Sequence, residues 1–110
     1  MTDCIFCKIV TKELPSTPLY EDETVLAFPD IHPVKPIHLI VIPKKHISEL
    51  VAVNDPQLFQ QLFVVVQKLI KEKGLEGKGY RVVNNGGGAQ LIDHLHLHIM
   101  GPITKTAQLG

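Results

Sequence analysis

The run His94-Leu95-His96-Leu97-His98-Ile99 constrains this chain more than any other part of it. Strict alternation of polar and apolar residues matches the two-residue repeat of an extended strand, on which positions i, i+2 and i+4 share one face. The three imidazoles therefore project together while Leu95, Leu97 and Ile99 point into a core; on a helix the same histidines would splay apart. Each ring carries two polar nitrogens that need partners when buried, so packing alone is a poor reason to gather three of the chain's six histidines here. Two chemical readings remain. In one, the row offers its nitrogens to a catalytic Zn²⁺. In the other, one imidazole is a nucleophile toward phosphorus, and its neighbours and a glycine-rich loop hold the phosphate oxygens.

The remaining segments read as pieces of a single α+β domain spanning residues 1–110, without internal repeats. Cys4 to Glu13 sets Ile5, Phe6, Ile9 and Val10 on one side at helical spacing and ends before Pro15, which predicts a short N-terminal helix. Tyr20, Val25 to Phe28 and Ile37 to Ile42 are brief apolar runs that read as three antiparallel strands, with Glu21-Asp22-Glu23 as a hairpin turn. Asn54-Asp55-Pro56 supplies a cap and a first-turn proline for the one long helix, which runs to Lys73 and stops at Gly74. On it Leu58, Phe59, Leu62, Phe63, Val65, Val66, Leu69 and Ile70 cover an arc of about 160°, opposite glutamines and lysines, and Val64 lies outside that arc. Gly79 to Asn84 and Ile92 to Met100 complete a five-stranded antiparallel sheet, joined by a permissive loop containing Asn84-Asn85-Gly86-Gly87-Gly88.

Composition excludes several classes of function. A chain of 110 residues with 45% hydrophobic content can bury one core and is too short for two. Lys plus Arg and Asp plus Glu both number 11, so no long-range positive field gathers nucleic acid or a membrane surface. An anionic ligand must be held by local geometry. No apolar segment follows a basic start, and no run approaches the roughly 20 apolar residues that span a bilayer, so a cytoplasmic location is expected. In a reducing compartment Cys4 and Cys7 read as a metal or redox pair rather than a disulfide. A thioredoxin-like element expects a strand before the pair, whereas zinc needs four ligands and the chain has candidate histidines.

His94-Leu95-His96-Leu97-His98-Ile99-Met100 resembles the signature of the histidine triad family, in which three histidines alternate with apolar residues. Cys4 to Ile9, Ala27 to Pro33, Pro36 to Ser48 and Gly79 to Asn85 are similar to its Hint branch in the same order, so the resemblance extends over nearly the whole chain up to about Gly101. It implies that His96 attacks the α-phosphorus of a nucleotide, giving a nucleotidyl-histidine that water then hydrolyses. His94 and His98 would complete the catalytic row. His98 and Asn84, in a loop that also offers Asn85, would steady phosphate oxygens, and a backbone carbonyl would hold the second nitrogen of His96. An imidazole of ordinary pKa, near 6.5, is largely neutral at pH 7 and leaves readily once protonated, which suits both steps.

The same resemblance implies an apolar base slot formed by Phe6, Ile9, Phe28, Ile31 and Ile40, each of which also reads as ordinary core, with Asp30 for the ribose hydroxyls. Gln90 matches the family pattern. His38 either lines the active site or satisfies a buried hydrogen bond, and His32 reads as exposed in a Pro-flanked turn. Zinc-containing members pair the cysteines with the histidine of Pro-Lys-x-His and the first of the triad, here Cys4, Cys7, His46 and His94; with four protein ligands such a site is structural. No organic cofactor is implied. Leu91 stands where some members carry a serine, Asp93 replaces an aromatic residue, the loop from Asn84 to Gln90 is short, and Ile103 to Gly110 matches no family pattern. The resemblance thus implies a purine nucleoside 5′-phosphoramidate hydrolase of the adenosine 5′-monophosphoramidase type. It also implies a homodimer joined through the long helix and the edge strand. Hydrolysis of dinucleoside polyphosphates is the enzymatic alternative, and a nucleotide- or zinc-binding interaction module with negligible turnover is the alternative from another class.

Overall fold

Strand residues alternate between two buried faces, and each face is covered by one helix. The computed structural model describes residues 3–105 and contains β1 (Tyr20–Glu21), β2 (Val25–Pro29), β3 (Ile37–Pro43), β4 (Arg81–Asn84), β5 (Leu97–Gly101), α1 (Ile5–Val10) and α2 (Pro56–Glu72), with a 3₁₀ turn at Leu50–Ala52. The strands form one antiparallel sheet in the order β1-β2-β3-β5-β4, the α+β architecture read from the sequence. Val25, Ala27, Leu39, Val41, Leu97 and Ile99 face α2, where they meet Leu58, Leu62, Val65, Val66, Leu69 and Ile70. Leu26, Phe28, Ile40 and Ile42 face the other way and meet Phe6 of α1. Leu62 and Leu69 are each 1% exposed; truncating such a side chain to Ala costs about 2–5 kcal/mol.

Local chemistry sets the ends of α2. The Asp55 carboxylate accepts from the Gln57 amide at 3.0 Å, and Pro56 occupies the first turn, where its missing N–H costs nothing. At the far end Gly74 adopts φ 67°. Its amide donates to Lys71, and the Leu75 amide donates back to Ile70 at 3.1 Å, which closes the helix in a Schellman turn and drives Leu75 into the core.

Several boundaries differ from the sequence reading. α1 ends at Val10 rather than Glu13, because Thr11 caps it and Lys12 turns to φ 68°. β4 begins at Arg81 rather than Gly79, whose carbonyl accepts from Ile103; a Cβ on Gly79 would lie 1.7 Å from the Ile103 oxygen. β5 begins at Leu97 rather than Ile92. Its pairing with β3 ends at Val41↔Leu97, after which the Leu95 amide turns to Ile47 instead, so His94 and His96 precede the regular strand. Phe63, within the apolar arc of α2, is 46% exposed, and Val64 is 55% exposed. Among the described residues no helix is long and apolar enough to cross a membrane. The last five residues of the unmatched segment Ile103 to Gly110 lie outside the described residues.

Candidate active site and metal cluster

The alternation of the histidine row survives the late start of β5. Leu95, Leu97 and Ile99 enter the core beneath α2, while His94 and His96 pack edge-on against Phe6, with ring centroids 5.8 and 5.1 Å away. His96 is 4% exposed and directs Nδ1 to the His94 carbonyl at 2.7 Å. Since a carbonyl only accepts, Nδ1 carries the hydrogen, and in the neutral ring Nε2 is left with the lone pair. The backbone therefore fixes the tautomer that a nucleophile needs. Asn84 donates from Nδ2 to the His96 carbonyl at 3.0 Å, pinning the chain on the other side of the ring.

His96 and His98 form one end of a cleft of about 760 Å³. Phe6, Ile9, Phe28, Ile31 and Ile40 line it, together with Asp30, so all five apolar slot residues and the candidate ribose carboxylate stand around one space. The structure does not bring Asn84, Gln90 or His38 into that wall. Asn84 is turned to the backbone of the histidine row, and Asn85 lines the cleft instead. Gln90 accepts from Gly88 at 2.9 Å and donates to Asp93 at 3.0 Å, holding the loop closed. Glu49 accepts from the Gly87 amide at 3.0 Å, so the glycine loop is tied down by a carboxylate of the chain itself. His38 is buried behind His98. Ser16 and Thr17, from the Pro15-to-Pro18 link, also line the cleft, as do Leu91 and His32. Ser16 and Thr17 sit in a Pro-bounded loop with no periodic signal that would single them out.

Asp30 organises the cleft wall through both carboxylate oxygens. Oδ1 accepts from the His32 amide at 2.8 Å, and Oδ2 lies 3.3 Å from His38 Nε2 and 3.9 Å from His98 Nδ1. Burial lowers the pKa of His98, with nearby His96 and His38 adding to the effect and Asp30 opposing it. A neutral His98 is thereby favoured near pH 7.

At the opposite end of the row, Cys4, Cys7, His46 and His94 place their ligand atoms within 4.8 Å of one another. Cys4 Sγ lies 3.4 Å and Cys7 Sγ 3.6 Å from His94 Nδ1, and Cys7 Sγ lies 3.2 Å from His46 Nδ1. His94 Nε2 donates to the Pro43 carbonyl at 2.8 Å, which leaves Nδ1 free to bind a cation and is the outer partner a metal-ligating histidine needs. Two thiols and two imidazoles are the donor set of a tetrahedral zinc site, and these residues are close enough to hold a metal ion. The Cys4 sulfur also caps α1 by accepting from the Cys7 amide at 3.3 Å. Without a cation, burial and then the Cys4 sulfur push the Cys7 thiol up to about 11, and burial lowers the pKa of His94.

The family model described as "Scavenger mRNA decapping enzyme C-term binding" matches residues 3–110. Protein HitA of Neisseria gonorrhoeae is 41% identical over 104 residues, covering 92% of this chain and 97% of that protein. A HIT family hydrolase from Legionella pneumophila Philadelphia 1 superposes with a TM-score of 0.88 at 43% identity, covering 98% of this chain and 100% of its own. A histidine triad nucleotide-binding protein from Candida albicans superposes at 0.82 with 35% identity, covering 88% of this chain and 73% of its own. The alternating row, the five-stranded sheet that carries it and these relatives together place the chain in the histidine triad family.

Proposed function

We propose that the chain hydrolyses purine nucleoside 5′-phosphoramidates through a covalent intermediate on His96. The observation that carries this reading is the 2.7 Å bond from His96 Nδ1 to the His94 carbonyl, which in the neutral ring leaves the lone pair on Nε2 beside a cleft of nucleotide size. The base would lie among Phe6, Ile9, Phe28, Ile31 and Ile40, with the ribose hydroxyls on Asp30. In the first step the Nε2 lone pair forms a bond to the α-phosphorus as the phosphorus–nitrogen bond to the leaving amine breaks, and that amine takes up a proton from solvent. In the second, water adds to phosphorus and gives up a proton to solvent, the bond to His96 breaks, and the products are a nucleoside 5′-monophosphate and the free imidazole. His98 and Asn85 stand where phosphoryl oxygens would be steadied. The Legionella relative, a hydrolase, and the Candida relative, a nucleotide-binding protein, agree with this chemistry.

Cys4, Cys7, His46 and His94 would hold a structural zinc. With four protein ligands it would cross-link α1 to the histidine row and keep no open position for substrate. α2 and edge strand β4 would meet their copies in a homodimer, since Phe63 and Val64 are exposed and one edge of β4 has no partner strand among the described residues. The test is an assay of wild type and His96→Ala against adenosine and guanosine phosphoramidates and diadenosine polyphosphates. Phosphoramidate turnover lost with His96 supports the reading. Preference for the polyphosphates moves the activity to that class, and nucleotide binding without turnover of any substrate makes the chain a binding module.

A further inference from the structure

His38 is 7% exposed, lies behind the cleft wall and takes no part in the reaction as written above, yet its hydrogen bonds are fully specified. The Val34 amide donates to His38 Nδ1 at 3.1 Å. A backbone N–H cannot accept, so Nδ1 carries a lone pair and the hydrogen of a neutral His38 is on Nε2. That nitrogen lies 2.9 Å from His98 Nδ1, with Asp30 Oδ2 at 3.3 Å as a second acceptor for the same hydrogen. His98 Nδ1 must then be the acceptor, and the hydrogen of a neutral His98 is on Nε2, the ring edge turned away from His38. The reverse arrangement needs a hydrogen on His38 Nδ1 facing the Val34 N–H, and a buried donor facing a donor costs about 1–3 kcal/mol.

The same three side chains, Asp30, His38 and His98, lie within 4.8 Å of one another and could be read as a second metal site. The Val34 amide argues against that reading. With Nδ1 accepting, Nε2 is protonated and closed to a cation. We propose that His38 is a positioning residue: the Val34 amide sets its tautomer, and His38 in turn sets His98 as an N–H donor toward the cleft. Under the phosphoramidate reading on which this rests, His98 donates a hydrogen bond from Nε2 to a phosphoryl oxygen or to the departing amine, while His96, held in the opposite tautomer, is the base-side nucleophile. Two histidines on one face thereby receive complementary roles from two backbone groups, the His94 carbonyl and the Val34 amide.

The test separates donor from acceptor at position 38. His38→Gln keeps an N–H for His98 Nδ1, His38→Glu offers only a carboxylate, and two-bond nitrogen–proton correlations on labelled protein report which His98 nitrogen carries the hydrogen. Wild type and His38→Gln should show His98 unprotonated at Nδ1, and His38→Glu should move the hydrogen to Nδ1. With adenosine phosphoramidate, kcat should stay within about tenfold for Gln and fall about 100-fold for Glu, with KM little changed. Val34→Pro removes the amide hydrogen together with a valine side chain that is 68% exposed, and should give a mixture of His98 tautomers even if a position-38 variant does not fold. A wild-type His98 protonated at Nδ1, or a Glu variant with unchanged tautomer and turnover equal to that of Gln, overturns the proposal. A wild type that turns over no nucleotide overturns the phosphoramidate reading instead, and the tautomer measurement still stands.

Discussion

The two ends of the histidine row are built from the same residue type, yet they are prepared for opposite tasks. At one end His94 is fully buried, gives its Nε2 hydrogen to Pro43 and turns Nδ1 toward two sulfurs. At the other, His98 is half-buried beside a cleft, accepts at Nδ1 and keeps a hydrogen on Nε2. His96 between them has the third arrangement, donating from Nδ1 to a carbonyl. The residue type supplies only the capacity for each role. Which nitrogen is left free is decided by a backbone or buried partner, and those partners come from β3, from the loop before it and from the row's own chain.

The strongest way to break this comparison is to remove the middle ring. His96→Ala should lower turnover more than about 10⁴-fold while nucleoside monophosphate binding stays within about tenfold, because binding draws on many groups and covalent catalysis on one. Steady-state assays beside calorimetric titration check both halves, and appreciable residual turnover would remove the nucleophile.

The buried end should respond in stability instead. His94→Ala takes away one of four candidate ligands, so zinc content and unfolding free energy should fall together, the latter by about 3–5 kcal/mol. Metal analysis with denaturant melts reads this. Because the Cys7 thiol is held up to about 11 without a cation, zinc must displace its proton, and uptake should release protons and tighten with rising pH. Protein that takes up no zinc under reducing conditions would show that the cluster is packing alone.

The sequence carried the plan of the row but not its polar wiring. Alternation of histidine with leucine revealed which residues face α2, because a period of two is local and apolar burial enforces it. That Cys4, Cys7, His46 and His94 form one cluster was legible only through likeness to the family, since they are brought together by contacts spanning up to 90 positions. Which of Asn84 and Asn85 faces the cleft was not legible: Asn84 pairs with Leu97 and its amide reaches the His96 carbonyl, whereas Asn85 lines the cleft. Nor was the Val34 amide. A backbone donor leaves no mark in the residue type, and neither does the partner that ends β5 pairing at Leu97.

Acid should weaken both ends in the same direction. Burial depresses His94 and His98 below the ordinary histidine value, so the folded state prefers the neutral rings while unfolded histidine binds a proton near pH 6.5. Their contribution to stability is therefore complete above about pH 6.5 and is lost as pH falls through the folded values. Urea midpoints of the metal-free protein should decline as pH falls below about 6.5, and His98→Gln should flatten part of that decline. A level profile would mean that neither ring is desolvated in solution.

The smallest effect on activity is expected from the face that the row does not use. Leu95, Leu97 and Ile99 send the α2 side of the sheet into the core, whereas the cleft and the metal cluster both lie on the α1 side. A dimer formed through α2 and β4 would thus meet across the sheet from the chemistry, and each chain would keep a complete row, Asp30 and both candidate sites. Val64 is 55% exposed and Phe63 46%, so Val64→Glu places a charge on the proposed contact without opening the core. It should convert a dimer at micromolar concentration to a monomer by light scattering, shift intrinsic chain stability by no more than about 0.5 kcal/mol, and leave turnover within about twofold. Loss of turnover with the loss of the dimer would show that the cleft borrows a group from the second chain, and the row could then no longer be treated as complete within one.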